Sequence, residues 1–177
     1  MTERPLVSKA MLLAVDVHYV ANKASVAGVA FANWGDPAPL QTYTTVLDGV
    51  AAYEPGSFFK RELPCILQLL HVYQLAPQII VVDGYVFLDG HSRPGLGKHL
   101  YDALNGEVAV VGVAKKRFRG LDDRFAVYRG GSKVPLWITA VSLPLAQAQT
   151  AVCHMHGPHR IPTLLKHADQ LCRRVQD

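Results

Sequence analysis

The chain has 177 residues, half of them hydrophobic, with a formal net charge of +4, eight histidines uncounted and a pI near 9.0. That length suits one domain, residues 1–177, able to bury about 70% of the unfolded chain's surface, and the basic balance permits a polyanionic partner without demanding one. The three cysteines, Cys65, Cys153 and Cys172, lie far apart and form no Cys-x-x-Cys pair, which indicates neither a disulfide scaffold nor a zinc ribbon and fits a reducing cytoplasm.

The first apolar stretch is broken at Asp16, too early for a signal-peptide core. Residues 134–159 carry no Lys, Arg, Asp or Glu, but Pro135, Pro144, Gln147, Gln149 and Gly157 interrupt them. A buried strand followed by a packed helix is therefore expected there, not a membrane span. A soluble, cytoplasmic monomer is the resulting expectation.

In chain order, residues 12–17, 26–32 and 41–46 read as three strands, the last two joined by Asn33-Trp34-Gly35-Asp36-Pro37, which makes an antiparallel meander. Residues 53–56 form a loop. Residues 58–73 form a helix with Phe59, Leu63, Ile66, Leu67 and Leu70 at helical spacing. Pro64 is tolerated only in a first turn, which puts Glu62 at the helix N-terminus. Residues 79–83 are a fourth strand, 95–104 a helix and 108–113 a fifth strand, followed by the basic loop Lys115-Lys116-Arg117-Phe118-Arg119-Gly120. Short strands over 125–128 and 136–140 and helices over 145–155 and 163–175 complete the chain. An antiparallel three-strand start that runs into β-α-β units gives an α/β fold, a mixed sheet with helices on both faces. This is the ribonuclease H-like layout, with the first strand central.

Asp16 and Asp83 each close a run of β-formers that reads as a fully buried strand. A charge there is costly unless a cation or hydrogen bonds compensate it. One such Asp is explained equally well as the cap of the following turn, whereas two together with Glu62 point to a metal. In this layout an acid on the first strand meets one at the end of the fourth strand and a third from the intervening helix. Hard oxygen ligands at open positions suit Mg²⁺, with Mn²⁺ as substitute, and such ions bind phosphate oxygens readily. The chemistry expected is phosphodiester hydrolysis in nucleic acid, with a metal-activated water as nucleophile. Lys115, just beyond the fifth strand, is placed to offset charge in the transition state. Lys116, Arg117 and Arg119 extend that basic loop toward nucleic acid, and Phe118 could stack on a base; by itself such a run is also what a solvated loop looks like. The group Cys153-His154-Met155-His156 with His159 lacks conventional zinc spacing and reads as histidines at a helix end. His18 is expected on the face opposite Asp16, packed or exposed.

Several motifs, in order along nearly the whole chain, resemble the endonuclease V family. They are Val15-Asp16-Val17-His18-Tyr19, the run from Tyr53-Glu54-Pro55-Gly56 to Glu62, Val82-Asp83-Gly84, Gly95-Leu96-Gly97-Lys98-His99-Leu100, Val111-Gly112-Val113-Ala114-Lys115, and His159-Arg160-Ile161-Pro162 with Ala168-Asp169. The resemblance implies a ribonuclease H-like fold, Mg²⁺ dependence, and cleavage at the second phosphodiester 3′ to hypoxanthine in DNA or inosine in RNA. It assigns Asp16, Glu62 and Asp83 as metal ligands and Lys115 as a phosphate contact. It also implies that Tyr53 and Pro55 wedge the strands apart and that Gly56, Gly84 and Tyr85 lie along the nucleic acid, while the lesion base leaves the stack at a cost of a few kcal/mol.

The chain also departs from that pattern. Thr139-Ala140-Val141-Ser142 stands where the family carries Ser-Val-Gly-His, so Ser142 replaces a histidine near the metal. Asp83-Gly84-Tyr85-Val86 stands where the family has Asp-Gly-His-Gly, which predicts a smaller or differently shaped base pocket. Leu88-Asp89-Gly90-His91-Ser92-Arg93-Pro94 matches the next family segment loosely and offers Asp89 or His91 as a substitute ligand. A scaffold that binds nucleic acid without cleaving it, or cleaves beside another lesion, is the alternative reading.

Overall fold

A computed structural model describes residues 11–52, 54–55, 57 and 59–174. The elements are β1 (Leu12–Val20), β2 (Lys23–Phe31), β3 (Gln41–Leu47), α1 (Phe59–Val72), β4 (Ile79–Asp83), α2 (Leu96–Ala103), β5 (Ala109–Ala114), a 3-10 turn at Asp123–Phe125, β6 (Ala126–Val127), β7 (Leu136–Val141), α3 (Leu145–His154) and α4 (Thr163–Arg174).

The seven strands form one sheet in the order β3-β2-β1-β4-β5-β7-β6. β1 is antiparallel to β2 and parallel to β4, β4 is parallel to β5, and β7 returns antiparallel to β5. This is the ribonuclease H-like arrangement read from the sequence, with β1 interior.

Both faces are covered, and strand alternation decides which residue serves which. Leu12, Ala14, Val81, Val111 and Val113 pack with Ala148, Val152, Leu164 and Ala168 of α3 and α4. Their neighbours Leu13, Val15, Ile80, Val82 and Val110 pack with Ile66, Leu69, Leu96 and Leu100 of α1 and α2. Gly28 on β2 makes close approach of α1 possible, since a Cβ there would lie 2.8 Å from Leu69 Cδ2.

β1 and β2 run longer than expected. The apolar pattern of β1 stops at Val17, yet the ladder continues through His18↔Ser25 to Val20↔Lys23, closed by a tight turn with Ala21 at φ 54°. Backbone pairing persists where side chains turn polar, and hydrophobic periodicity does not register it. The 125–128 segment splits into the 3-10 turn, capped by the Asp122 carboxylate accepting from the Arg124 amide, and the two-residue β6. Pro64 is the sixth residue of α1, not in its first turn. The Lys60 carbonyl goes without that donor, and Glu62 still falls in the first turn.

Candidate metal centre

The register of the parallel core brings the acids together. Val15 pairs with Val82 and Asp83 with Val113, so one step further Asp16 stands beside Asp83. Ala14, Val81 and Val113 face α3 and α4, and period-2 alternation puts Asp16, Asp83 and Lys115 on that same face. His18, two residues from Asp16 on β1, shares the face as well, which corrects the expectation that it points away.

Asp16, Asp83 and Lys115 line one small cavity with Val15, Ile161 and Leu165. Its volume of about 20 Å³ holds one water or one ion. The Lys115 ammonium lies 3.5 Å from Asp83 Oδ2. From the other side of the sheet, the first turn of α1 brings Glu62 within electrostatic reach of Asp16 and Asp83.

These carboxyls sit against their own electrostatic preference. Asp16 is pushed up to about 7, first by burial and then by the charge of Asp83, although the Val17 amide donates to its Oδ1 at 2.9 Å and Lys115 acts in the lowering direction. Glu62 is only 6% exposed. Burial, then the charges of Asp16 and Asp83, hold it well above the usual carboxylate range, with Arg61 opposing. Acids so placed need a cation or protons, and an oxygen-rich donor set at an ion-sized cavity fits a divalent cation.

α4 supplies a donor that the sequence reading left out. Asp16, Asp169 and Cys172 each offer a ligand atom, all within 4.8 Å of one another. Asp169 also accepts from Arg173 Nε at 2.9 Å, one helical turn on. Burial, then Asp16 and Asp169, push the Cys172 thiol up to about 12. The available signals were the Ala168-Asp169 pair among the family-like motifs and the pattern of α4. Leu164, Ala168 and Cys172 are buried, so Asp169 is an acid on the edge of an apolar stripe.

Lys115 and Asp169 also border a second, open cleft of about 290 Å³ with His159, Arg160, Ile161 and Lys166. Arg160 braces this wall, donating through Nη2 to the Lys115 carbonyl and, at 2.9 Å, to the Pro135 carbonyl. The cleft leads from the acids into basic surface.

The remaining expected residues separate into free and committed groups. Lys116 and Arg119 are exposed. Arg117 is tied back to the Leu121 carbonyl through Nε at 2.9 Å, pairs with Asp123 at 3.2 Å and lies over the Trp137 ring at 5.0 Å. Tyr85 is a strut, its hydroxyl donating to the Lys116 carbonyl at 2.5 Å and accepting from the Phe118 amide at 2.9 Å. Phe118 meets the Tyr85 ring edge-on at 6.1 Å. Val86 is fully buried in the core with Leu96 and Val110, and its amide donates to Thr139 Oγ1 at 2.8 Å. Its side chain therefore fills the core beneath the loop instead of narrowing the site. Gly84, at φ 148°, has open space where a Cβ would project.

Asp89 and His91 do not reach the cavity. Asp89 accepts from the amides of His91, Ser92 and Arg93 at 2.8–3.0 Å and from the Ser92 hydroxyl. The Ser92 hydroxyl and the Arg93 and Ser92 amides hold it well below the usual carboxylate range, which marks a loop cap. Ser142 follows β7 at φ 63°. Pro55 is exposed in the turn before α1, while Tyr53 and Gly56 lie outside the described residues. His154 and His156 bond Thr150 and Thr163 locally, and the described residues hold no metal-spaced histidine group. All three cysteines are free, and no described helix is long and apolar enough to cross a membrane.

Comparisons with known proteins identify the family. Endonuclease V from Nostoc punctiforme is 28% identical over 183 aligned residues, covering 89% of this chain and 79% of that one. The crystal structure of endonuclease V from Streptomyces avermitilis superposes with a TM-score of 0.75 at 26% identity, over 94% of this chain and 81% of that one. The Ciona intestinalis endonuclease V, in complex with a 24mer DNA containing an inosine followed by a ribo-adenosine, has the same fold, with a TM-score of 0.77 at 22% identity over 96% and 86% of the two chains. The family profile named Endonuclease V matches residues 2–143, from ahead of β1 to the end of β7, and the chain belongs to the endonuclease V family.

Proposed function

We propose that the chain is a metal-dependent endonuclease that hydrolyses a phosphodiester in nucleic acid beside a deaminated purine, hypoxanthine in DNA or inosine in RNA, in the service of DNA repair. The observation that carries the reading is the meeting of Asp16 and Asp83 at a cavity the size of one ion, with Lys115 at its rim and the buried Glu62 within electrostatic reach, Asp16 and Glu62 both being held above their ordinary range. Family membership and the Ciona relative's inosine-containing DNA support the choice of substrate.

Asp16, Glu62, Asp83 and Asp169 would hold Mg²⁺, with Mn²⁺ as substitute, and that ion when bound supplies an activated water and charge neutralisation at the leaving oxygen. Lys115 takes a non-bridging phosphate oxygen, exchanging its contact with Asp83 for one with substrate. Lys116, Arg119 and Lys166 flank the path of the strand on the open side and bind phosphate by charge. Tyr53 and Pro55 act as the wedge, Gly56 and Gly84 allow close approach of the strand and the extruded base, and the Tyr85 strut fixes the loop that lines the pocket.

Mg²⁺-dependent nicking of inosine-containing strands, lost in Asp83→Asn, tests this reading. Full nicking by that variant would overturn it. Ser142, in place of the family histidine, favours a second reading in which the scaffold binds without cleaving. Asp169 argues against that reading, since it offers a further oxygen donor beside Asp16. Tight binding to inosine strands with no cleavage in either Mg²⁺ or Mn²⁺ would establish the second.

A further inference from the structure

We propose that Cys172 is itself a ligand of this centre, and that Asp16, Asp169 and Cys172 bind a thiophilic divalent cation of the zinc, cobalt or cadmium class. The inference rests on the reading of the carboxylates as a metal centre and adds a sulfur that hard-cation chemistry does not use.

Four observations carry it. The Cys172 sulfur and one oxygen each of Asp16 and Asp169 lie within 4.8 Å of one another. A tetrahedral ion with metal–oxygen bonds of about 2.0–2.2 Å and a metal–sulfur bond of about 2.3 Å needs donors roughly 3.5 Å apart, a contraction that side-chain rotation supplies. The thiol is placed, not adventitious. Cys172 is 1% exposed, Asp169 and Cys172 stand three apart on one face of α4, that helix packs on β1 and β2, and the Ser25 hydroxyl donates to the Cys172 carbonyl to fix the register. The Glu62 carboxyl, 6% exposed, feels the charge of Asp16, so a further buried acid acts on the same centre. The other cysteines lie elsewhere, with Cys65 donating to the Arg61 carbonyl at 3.4 Å and Cys153 exposed.

Two carboxylates and a thiolate leave a fourth position open, the three-ligand pattern of zinc sites that keep a water. Mg²⁺ gains nothing from sulfur, whereas zinc-class ions bind it strongly. On binding, the metal–sulfur bond forms and the thiol proton passes to solvent; no electron is transferred.

The test uses the full chain, freed of metal and carrying Cys153→Ser to remove the exposed thiol, titrated with cobalt(II) without nucleic acid. A thiolate-to-cobalt charge-transfer band in the near ultraviolet is expected. It should vanish in Cys172→Ala, with cobalt affinity down about tenfold or more, and Asp169→Asn should weaken cobalt binding while retaining the band at saturation. X-ray absorption on the cobalt-loaded parent should show one sulfur at about 2.3 Å, a readout that holds even if the Cys172 variants fail to fold. Absence of the band and of the sulfur scatterer, or a band that persists in Cys172→Ala, overturns the proposal. A chain that shows the sulfur bond but never nicks inosine strands breaks the proposed function alone. One that nicks with Mg²⁺ and shows no sulfur bond breaks only this inference.

Discussion

Asp16 and Asp89 are the same side chain in opposite circumstances. Asp16, interior to the sheet, is raised to about 7 by burial and by Asp83. Asp89, on a surface loop, is held low by a hydroxyl and three amides of its own loop. The Asp89 carboxylate is satisfied by the fold and needs nothing further. Asp16 and Glu62 are held by the fold in a state that it does not satisfy, and a group kept against its electrostatic preference is where a ligand is expected.

The sharpest way to break this comparison is to neutralise each acid. Asp16→Asn should lower Mg²⁺-dependent nicking of an inosine strand by roughly a thousandfold, equivalent to about 4 kcal/mol of barrier, whereas Asp89→Asn should change it by no more than about threefold, less than 1 kcal/mol. Equal losses in single-turnover assays would put Asp89 back in the centre. Lys115→Ala comes next, with an expected loss of roughly a hundredfold in the cleavage step, the usual effect of removing one charge-stabilising donor. A loss confined to binding would instead make Lys115 a steering residue.

The contrast also has a pH signature. The Asp16 carboxyl is raised from 3.8 to about 7 in the folded chain, so its favourable contribution is complete below about pH 4 and is lost as pH rises through about 7. Glu62 is shifted in the same direction. Metal-free protein should therefore lose on the order of a few kcal/mol of stability between pH 4 and pH 8. Saturating Mn²⁺ should flatten that slope, because the cation binds the ionised form, and Asp16→Asn should reduce it without metal. Denaturant midpoints across this range would decide; a metal-free chain that grows more stable toward pH 8 would refute the placement of these acids.

The central strands were legible because their apolar runs are long and their ends abrupt, as at Ile79–Asp83, whose bounds agree with the expectation to the residue. Asp16 and Asp83 stood out for the same reason, an acid ending a buried run being conspicuous. Asp169 was not conspicuous. On an amphipathic helix an acid beside apolar residues is ordinary, and only packing of α4 on β1 shows that its edge faces Asp16. The hydrogen bonds of Asp89 and Tyr85 were hidden for a related reason. Their partners are backbone amides and carbonyls, with which any residue can serve, so side-chain identity carries no trace of the pairing.

The basic loop repeats the contrast between satisfied and unsatisfied charge at smaller scale. Arg117 and Lys116 are adjacent and equally cationic, yet Arg117 donates to the Leu121 carbonyl, pairs with Asp123 and covers Trp137, while the Lys116 side chain is exposed. Lys116→Ala should weaken nucleic-acid binding uniformly across sequences and reduce the salt-dependence slope by about one, with stability unchanged. Arg117→Ala should destabilise the fold by about 1 kcal/mol through the lost hydrogen bonds and ring contact and leave the salt slope near the parent value. If binding across a salt series instead shows Arg117 carrying the larger slope, its internal contacts yield to phosphate, and commitment within the free fold would not separate structural cations from binding ones in this loop.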